Sequence, residues 1–169
     1  MSAVRDRIRS HVADHPGVHF NAVVRDLDLA AGQVQYHLRR LLTDEALVAD
    51  SYYGRTHYFP PEYDAWERAA LALARRETAR DVVFFLLDEG PSAPATVAES
   101  VGVARSTLEH HVDHLVEHDL VEKRRDRHNH VTLAVVDREA AARVLDEVRP
   151  SLPDRFVDRF ERLVDALLD

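Results

Sequence analysis

One stretch of the chain occurs twice. "LDLAAGQVQYHLRRL" (Leu27–Leu41) lies over "VGVARSTLEHHVDHL" (Val101–Leu115) at an offset of 74 residues. The apolar positions coincide: Leu27 with Val101, Leu29 with Val103, Val34 with Leu108, Leu38 with Val112, and Leu41 with Leu115. His37 falls on His111. After each copy come a turn, a short apolar stretch, a polar or basic tip and a second β-like stretch, "ALVADSYYGRTHYF" and "DLVEKRRDRHNHVTLAVV". The chain must therefore fold as two similar units. Two copies of roughly 45 residues are too few for a solenoid, and the hairpin endings do not suit stacked helical repeats.

The hydrophobic period maps each unit. Ser2–Asp14 reads as an amphipathic helix with Val4, Ile8 and Val12 inward. His15-Pro16-Gly17 breaks it, and a short helix follows over Asn21–Leu27 with Asn21 as N-cap. A tight turn at Asp28–Ala30 leads into a helix over Ala31–Thr43. Leu47–Asp50 and Thr56–Phe59 are β-like, around a tip at Tyr53-Gly54-Arg55. In the second unit the helices are Thr78–Asp88, stopped by Glu89-Gly90-Pro91, then Ala95–Ser100 and Arg105–His118. Its strands are Leu120–Lys123 and Val131–Val136.

Between the units, Pro60-Pro61 ends the first hairpin, and Glu62–Arg76 reads as a connecting helix with Tyr63, Trp66, Ala70 and Leu73 on one stripe. Two helices close the chain, Arg138–Val148 and Asp154–Leu168, the latter lined by Phe156, Phe160, Leu163 and Leu167. The expected fold class is mostly α with small β-hairpin wings. It comprises two tandem winged helix-turn-helix domains, residues 1–61 and 77–136, with a connecting helix at 62–76 and C-terminal helices at 137–169 that pack or dimerise.

"HFNAVVRDLDLAAGQVQYHLRRLLTDEALV" (His19–Val48) resembles winged helix-turn-helix transcription regulators of the broad ArsR/MarR type, especially archaeal ones. "PATVAESVGVARSTLEHHVDHLVEHDLV" (Pro94–Val121) is similar to the same module. The resemblance implies a dimeric, cytoplasmic protein that binds double-stranded DNA by sequence, often with a small-molecule or metal effector.

In such a module the third helix enters the major groove. With Val34, Leu38 and Leu41 turned to the core, Gly32, Gln33, Tyr36, Arg39, Arg40 and Thr43 face outward, with Gln35 at the flank. Gln pairs with adenine and Arg with guanine through two hydrogen bonds each, and Tyr reaches a phosphate or a thymine methyl. Gly32 lets backbone N–H groups at the helix start approach a phosphate. Arg55 at the first wing tip suits a narrow minor groove. The second wing carries Lys123, Arg124, Arg125 and Arg127, the main basic cluster of an acidic chain, suited to phosphate. The bland counterparts are a solvated helix face and a hairpin balanced by Glu122 and Asp126.

The same projection in the second unit exposes Ser106, Thr107, His110, Asp113, His114 and Glu117. Two acids there repel phosphate, although an acid can accept a hydrogen bond from cytosine N4. The expectation is that the first unit reads DNA and the second contacts it by its wing or serves assembly.

Composition narrows the chemistry. The net charge is −8, with Lys123 the only lysine beside 21 arginines, and with 18 aspartates to 12 glutamates. This resembles proteins of extremely salty cytoplasms. Near 1 M salt the Debye length is only about 3 Å, so a negative total does not exclude an anionic partner. The absence of cysteine excludes disulfides, thiolate zinc sites and thiol nucleophiles. No apolar run approaches the ~20 residues of a membrane span, and Val4, Ile8 and Val12 replace a signal-peptide core, so a soluble cytoplasmic protein is expected. There is no phosphate-binding glycine loop or nucleophile elbow, and an enzyme is not expected.

Six of the eleven histidines fall between His110 and His130. His110 and His114, spaced i, i+4 beside Asp113 and Glu117, are weak metal candidates; no cofactor is expected. Their protonation near pH 6–7 would make that face more cationic. Three readings stay open: a sequence-specific regulator, a winged-helix protein-interaction module, and a His-based metal-responsive regulator. A homodimer built on the C-terminal stripe or the N-terminal helix would call for a palindromic site.

Overall fold

The computed structural model describes residues 2–148. The last expected helix, with Phe156, Phe160, Leu163 and Leu167, lies outside them. The first unit runs α1 (Ala3–Asp14), β1 (Val18–His19), α2 (Phe20–Leu27), α3 (Ala31–Thr43), β2 (Val48–Tyr52) and β3 (Arg55–Phe59). After α4 (Ala65–Ala74) the second unit runs α5 (Glu77–Glu89), α6 (Pro94–Val101), α7 (Arg105–Glu117), β4 (Val121–Arg125) and β5 (Val131–Val135). The helix α8 (Arg138–Glu147) follows. The molecule is mostly helical, with two helix-turn-helix units that each end in an antiparallel hairpin.

The repeat extends to the backbone. Asp28 and Gly102, 74 apart, end α2 and α6 with left-handed φ of 51° and 79°. Leu29 N–H donates to Val24 O at 3.2 Å, and Val103 N–H to Ala98 O at 3.0 Å. Glu45 and Asp119 are left-handed again after α3 and α7, at 55° and 61°. Val34, Leu38 and Leu41 are buried, as are Leu108, Val112 and Leu115. Each such side chain contributes about 1.5–3 kcal/mol of burial, which holds the face assignment of both helices.

Two details of the first unit differ from expectation. Val18–His19 forms a third strand, pairing with β3 as Val18↔Tyr58 and His19↔His57. The second unit keeps only an isolated bridge there, Ser92↔Leu133. Because pairing holds the chain extended through His19, α2 begins one residue after it, and the N-cap is His19, not Asn21. The His19 ring accepts a hydrogen bond from Ala22 N–H at 3.3 Å. The wing strands also run further toward the tip, leaving a two-residue turn at Tyr53-Gly54. Both turn residues have positive φ, 52° and 73°, as a hairpin turn matching strand twist requires.

The connecting helix is shorter than 62–76. Asp64 caps it by accepting from Glu67 N–H, while Glu67 accepts from Asp64 N–H, so the chain turns helical only at Ala65. A single stripe does not describe it: Ala69 through Ala74 are all buried. The period-2 alternation of a strand explains what surrounds this helix. Tyr58 packs into the core of the first unit, whereas Phe59 and Tyr52 pack with α4 and the core of the second. Arg68 on α4 pairs with Asp50 on β2 at 2.5 Å, tying wing to linker.

Candidate nucleic-acid interface

On α3, apolar residues at a 3.6-residue period leave one polar face outward. Gln33, Gln35, Tyr36, Arg39 and Arg40 are all exposed, Tyr36 by 57 %. No acidic side chain lies within the helix itself. Arg55 starts β3, where the two-residue turn aims it back toward α3. Between helix and hairpin lies a cleft of about 580 Å³ lined by Gly32, Gln35, Arg39, Arg55, Thr56 and Asn21. The fold thus brings Gln35, Arg39 and Arg55 to one concave surface, while Gln33, Tyr36 and Arg40 continue the exposed face beside it. A Cβ on Gly32 would meet nothing within 4 Å, so the start of α3 is open to an approaching anion.

The second unit is arranged differently. The tip of the first wing sits on α7. The Tyr53 ring stacks on His114 with centroids 3.8 Å apart, and its hydroxyl is hydrogen-bonded to His111 Nδ1 at 3.0 Å. His110 meets the same ring edge-on at 5.8 Å, and the Arg76 guanidinium lies 3.8 Å from its centroid. Burial pushes the Tyr53 phenol up to about 12, so it stays protonated. His110 and His114 therefore form an aromatic seat for the wing. Among the described residues no group of three or more His, Asp or Glu is placed to hold a metal ion.

Lys123 and Arg124 of the second wing are engaged within the protein. Lys123 Nζ is 3.2 Å from Glu109 and 3.6 Å from Asp113, so the wing partly neutralises the acids of α7. Arg124 pairs with Glu122 at 2.7 Å. Arg125 donates to Asn129 at 2.9 Å across the tip. Arg127 is exposed at that tip, where Asp126 accepts from His128 N–H and His130 N–H to close the turn. The basic cluster read from the sequence is thus split, with Arg125 and Arg127 its outer part.

Two consecutive helix-turn-helix units, each with a hairpin, define a tandem helix-turn-helix protein. A family model described as an N-terminal HTH domain matches residues 2–71, and one described as a helix-turn-helix domain matches residues 73–124. No curated protein matches the chain. Among the described residues no helix is long and apolar enough to cross a membrane.

Sequence reasoning missed the Tyr53 seat. Its only signal was a tyrosine in a turn position that favours Asn, Asp or Gly.

Proposed function

We propose that the chain is a sequence-specific regulator of transcription that reads double-stranded DNA mainly with α3, while Arg55 and the second wing contact backbone or minor groove. The observation that carries the reading is the cleft in which Gln35 and Arg39 of α3 face Arg55 of the wing. Those side chains supply two-pronged donors and acceptors for base edges together with a cation for the backbone. Unequal use of the two units fits the same picture. The α7 face carries the Tyr53 tip, and its Glu109 and Asp113 hold Lys123. A salt-adapted, archaeal, ArsR/MarR-like cytoplasmic protein acting as a homodimer belongs to this proposal, supported by the acidic, arginine-rich composition and the module order.

The test is binding to fragments of the protein's own upstream region at high KCl, comparing wild type with the triple variant Gln35→Ala/Arg39→Ala/Arg40→Ala. Specific binding by wild type that the triple variant loses supports the reading. A folded wild type with no sequence preference on any fragment overturns it in favour of a protein-interaction module.

A further inference from the structure

Behind the first wing lies a second concavity, of about 210 Å³, between α2, β3 and the C-terminal end of α4. Its lining carries four arginines, Arg25, Arg55, Arg75 and Arg76, with His15, His19 and His57, on an apolar floor of Val18, Ala22 and Ala72. The one carboxylate there, Asp26, is already met by Arg25 at 3.2 Å and by His11 at 3.3 Å. In a chain of net charge −8, four arginines line one hollow that holds a single carboxylate.

Two of the lining groups sit deep. Arg75 donates to Pro16 O from Nε at 3.1 Å and from Nη2 at 2.8 Å, and Asp26 attracts it electrostatically. Burial lowers its pKa, which marks a cation held at a cost. His57 is only 4 % exposed, and its Nδ1–H donates to Gly17 O at 2.6 Å. Its Nε2 is buried with no partner. Proteins rarely leave a buried polar atom such as His57 Nε2 without a partner, least of all beside a cation that burial already disfavours.

We infer that this cavity is a binding site for a small free oxyanion of the phosphate class, held by Arg25, Arg55, Arg75 and Arg76. Guanidinium groups suit phosphate oxygens through paired, charge-assisted hydrogen bonds. A phosphate of a DNA duplex would reach the rim at Arg55, whereas Arg75 and His57 lie inside, where a small anion fits. His57 would gain a second donor, Nε2–H, by taking up a proton, since Nδ1–H is committed to Gly17. The groups facing it are the Gly17 carbonyl, His19, Arg75, Arg76 and the Tyr52 ring. Without an anion, burial and the neighbouring cations hold His57 below the usual histidine range. Arg55 and His19 also line the cleft beside α3. A bound anion therefore competes with DNA for Arg55, which makes the cavity an effector site.

The test is calorimetric titration of the full chain with inorganic phosphate and with pyrophosphate, using chloride at equal ionic strength as the control. The expected result is saturable 1:1 binding, tighter for pyrophosphate. It should weaken at least tenfold in Arg25→Gln/Arg55→Gln, two exposed positions whose variant is checked for folding by circular dichroism. Heat no greater than chloride's, or unchanged binding in the folded variant, overturns the site. Ring-nitrogen NMR of His57 should report protonation on binding, and a ring that stays neutral overturns its part. No DNA is present, so the outcome stands apart from the DNA-binding proposal. A second arm adds pyrophosphate to the DNA titration, where weaker DNA binding is expected and unchanged binding overturns the effector role.

Discussion

Tyr53 at the tip of the first wing stacks on His114 of the second unit's third helix, ring centroids 3.8 Å apart and planes 29° from parallel. The contact joins two residues that lie far apart in the chain and fixes where one unit stands against the other. It also accounts for a tyrosine at φ 52°, a conformation that costs an ordinary L-residue about 1–2 kcal/mol. The ring contacts offset that cost.

Tyr53→Ala should therefore lower stability by about 1–3 kcal/mol, the sum of ring stacking and the cation–π contact with Arg76. Urea unfolding measures it. Tyr53→Asn loses the same contacts but relaxes the turn, so it should be about 1 kcal/mol more stable than Tyr53→Ala. Equal stabilities would show that the turn is not strained.

Stability should fall as pH drops below about 6.5. Burial lowers the pKa of His11, His19, His57, His111 and His114 in the folded protein. A histidine so depressed leaves stability whole above its unfolded pKa. As pH falls through that value toward the folded one, the unfolded chain takes up protons first and stability is lost. Urea midpoints at pH 7.5, 6.5 and 5.5 should decline in that order, and a flat series would refute the effect.

The two third helices should contribute unequally to DNA binding. Loss of one two-pronged base contact costs about 1–3 kcal/mol, so Arg39→Ala should weaken specific binding roughly 5- to 150-fold. Ser106→Ala and Thr107→Ala on α7 should change it less than threefold. Comparable losses from both helices, measured by fluorescence anisotropy, would mean that the second unit reads DNA as well.

Within the second wing, Lys123 should behave apart from its neighbours. Lys123→Ala takes the cation from Asp113 and leaves Glu109 to Arg105 alone, and should leave the salt dependence of DNA binding nearly unchanged. Arg125→Ala and Arg127→Ala should each reduce the slope of log affinity against log salt by about 1, as for one lost phosphate contact. A reduction for Lys123→Ala as large as theirs would place it on the DNA.

Much of this molecule was written locally. Val34, Leu38 and Leu41 recur at helical spacing, so α3 and its outward face follow from sequence, as do α7 and its face from Leu108, Val112 and Leu115. Burial of those side chains outweighs other local preferences, and the 74-residue offset carries the same pattern into both units. Gln35 and Arg39 were legible for that reason. Tertiary structure decided the rest. Strand β1 exists only because β3 lies beside Val18, and that pairing moved the cap of α2 to His19. Tyr53 meets His111 across 58 residues, Lys123 turns back to Asp113, and Arg25, Arg55, Arg75 and Arg76 converge from three places in the chain. Such meetings depend on how packed elements stand relative to one another, which no periodicity along the chain encodes.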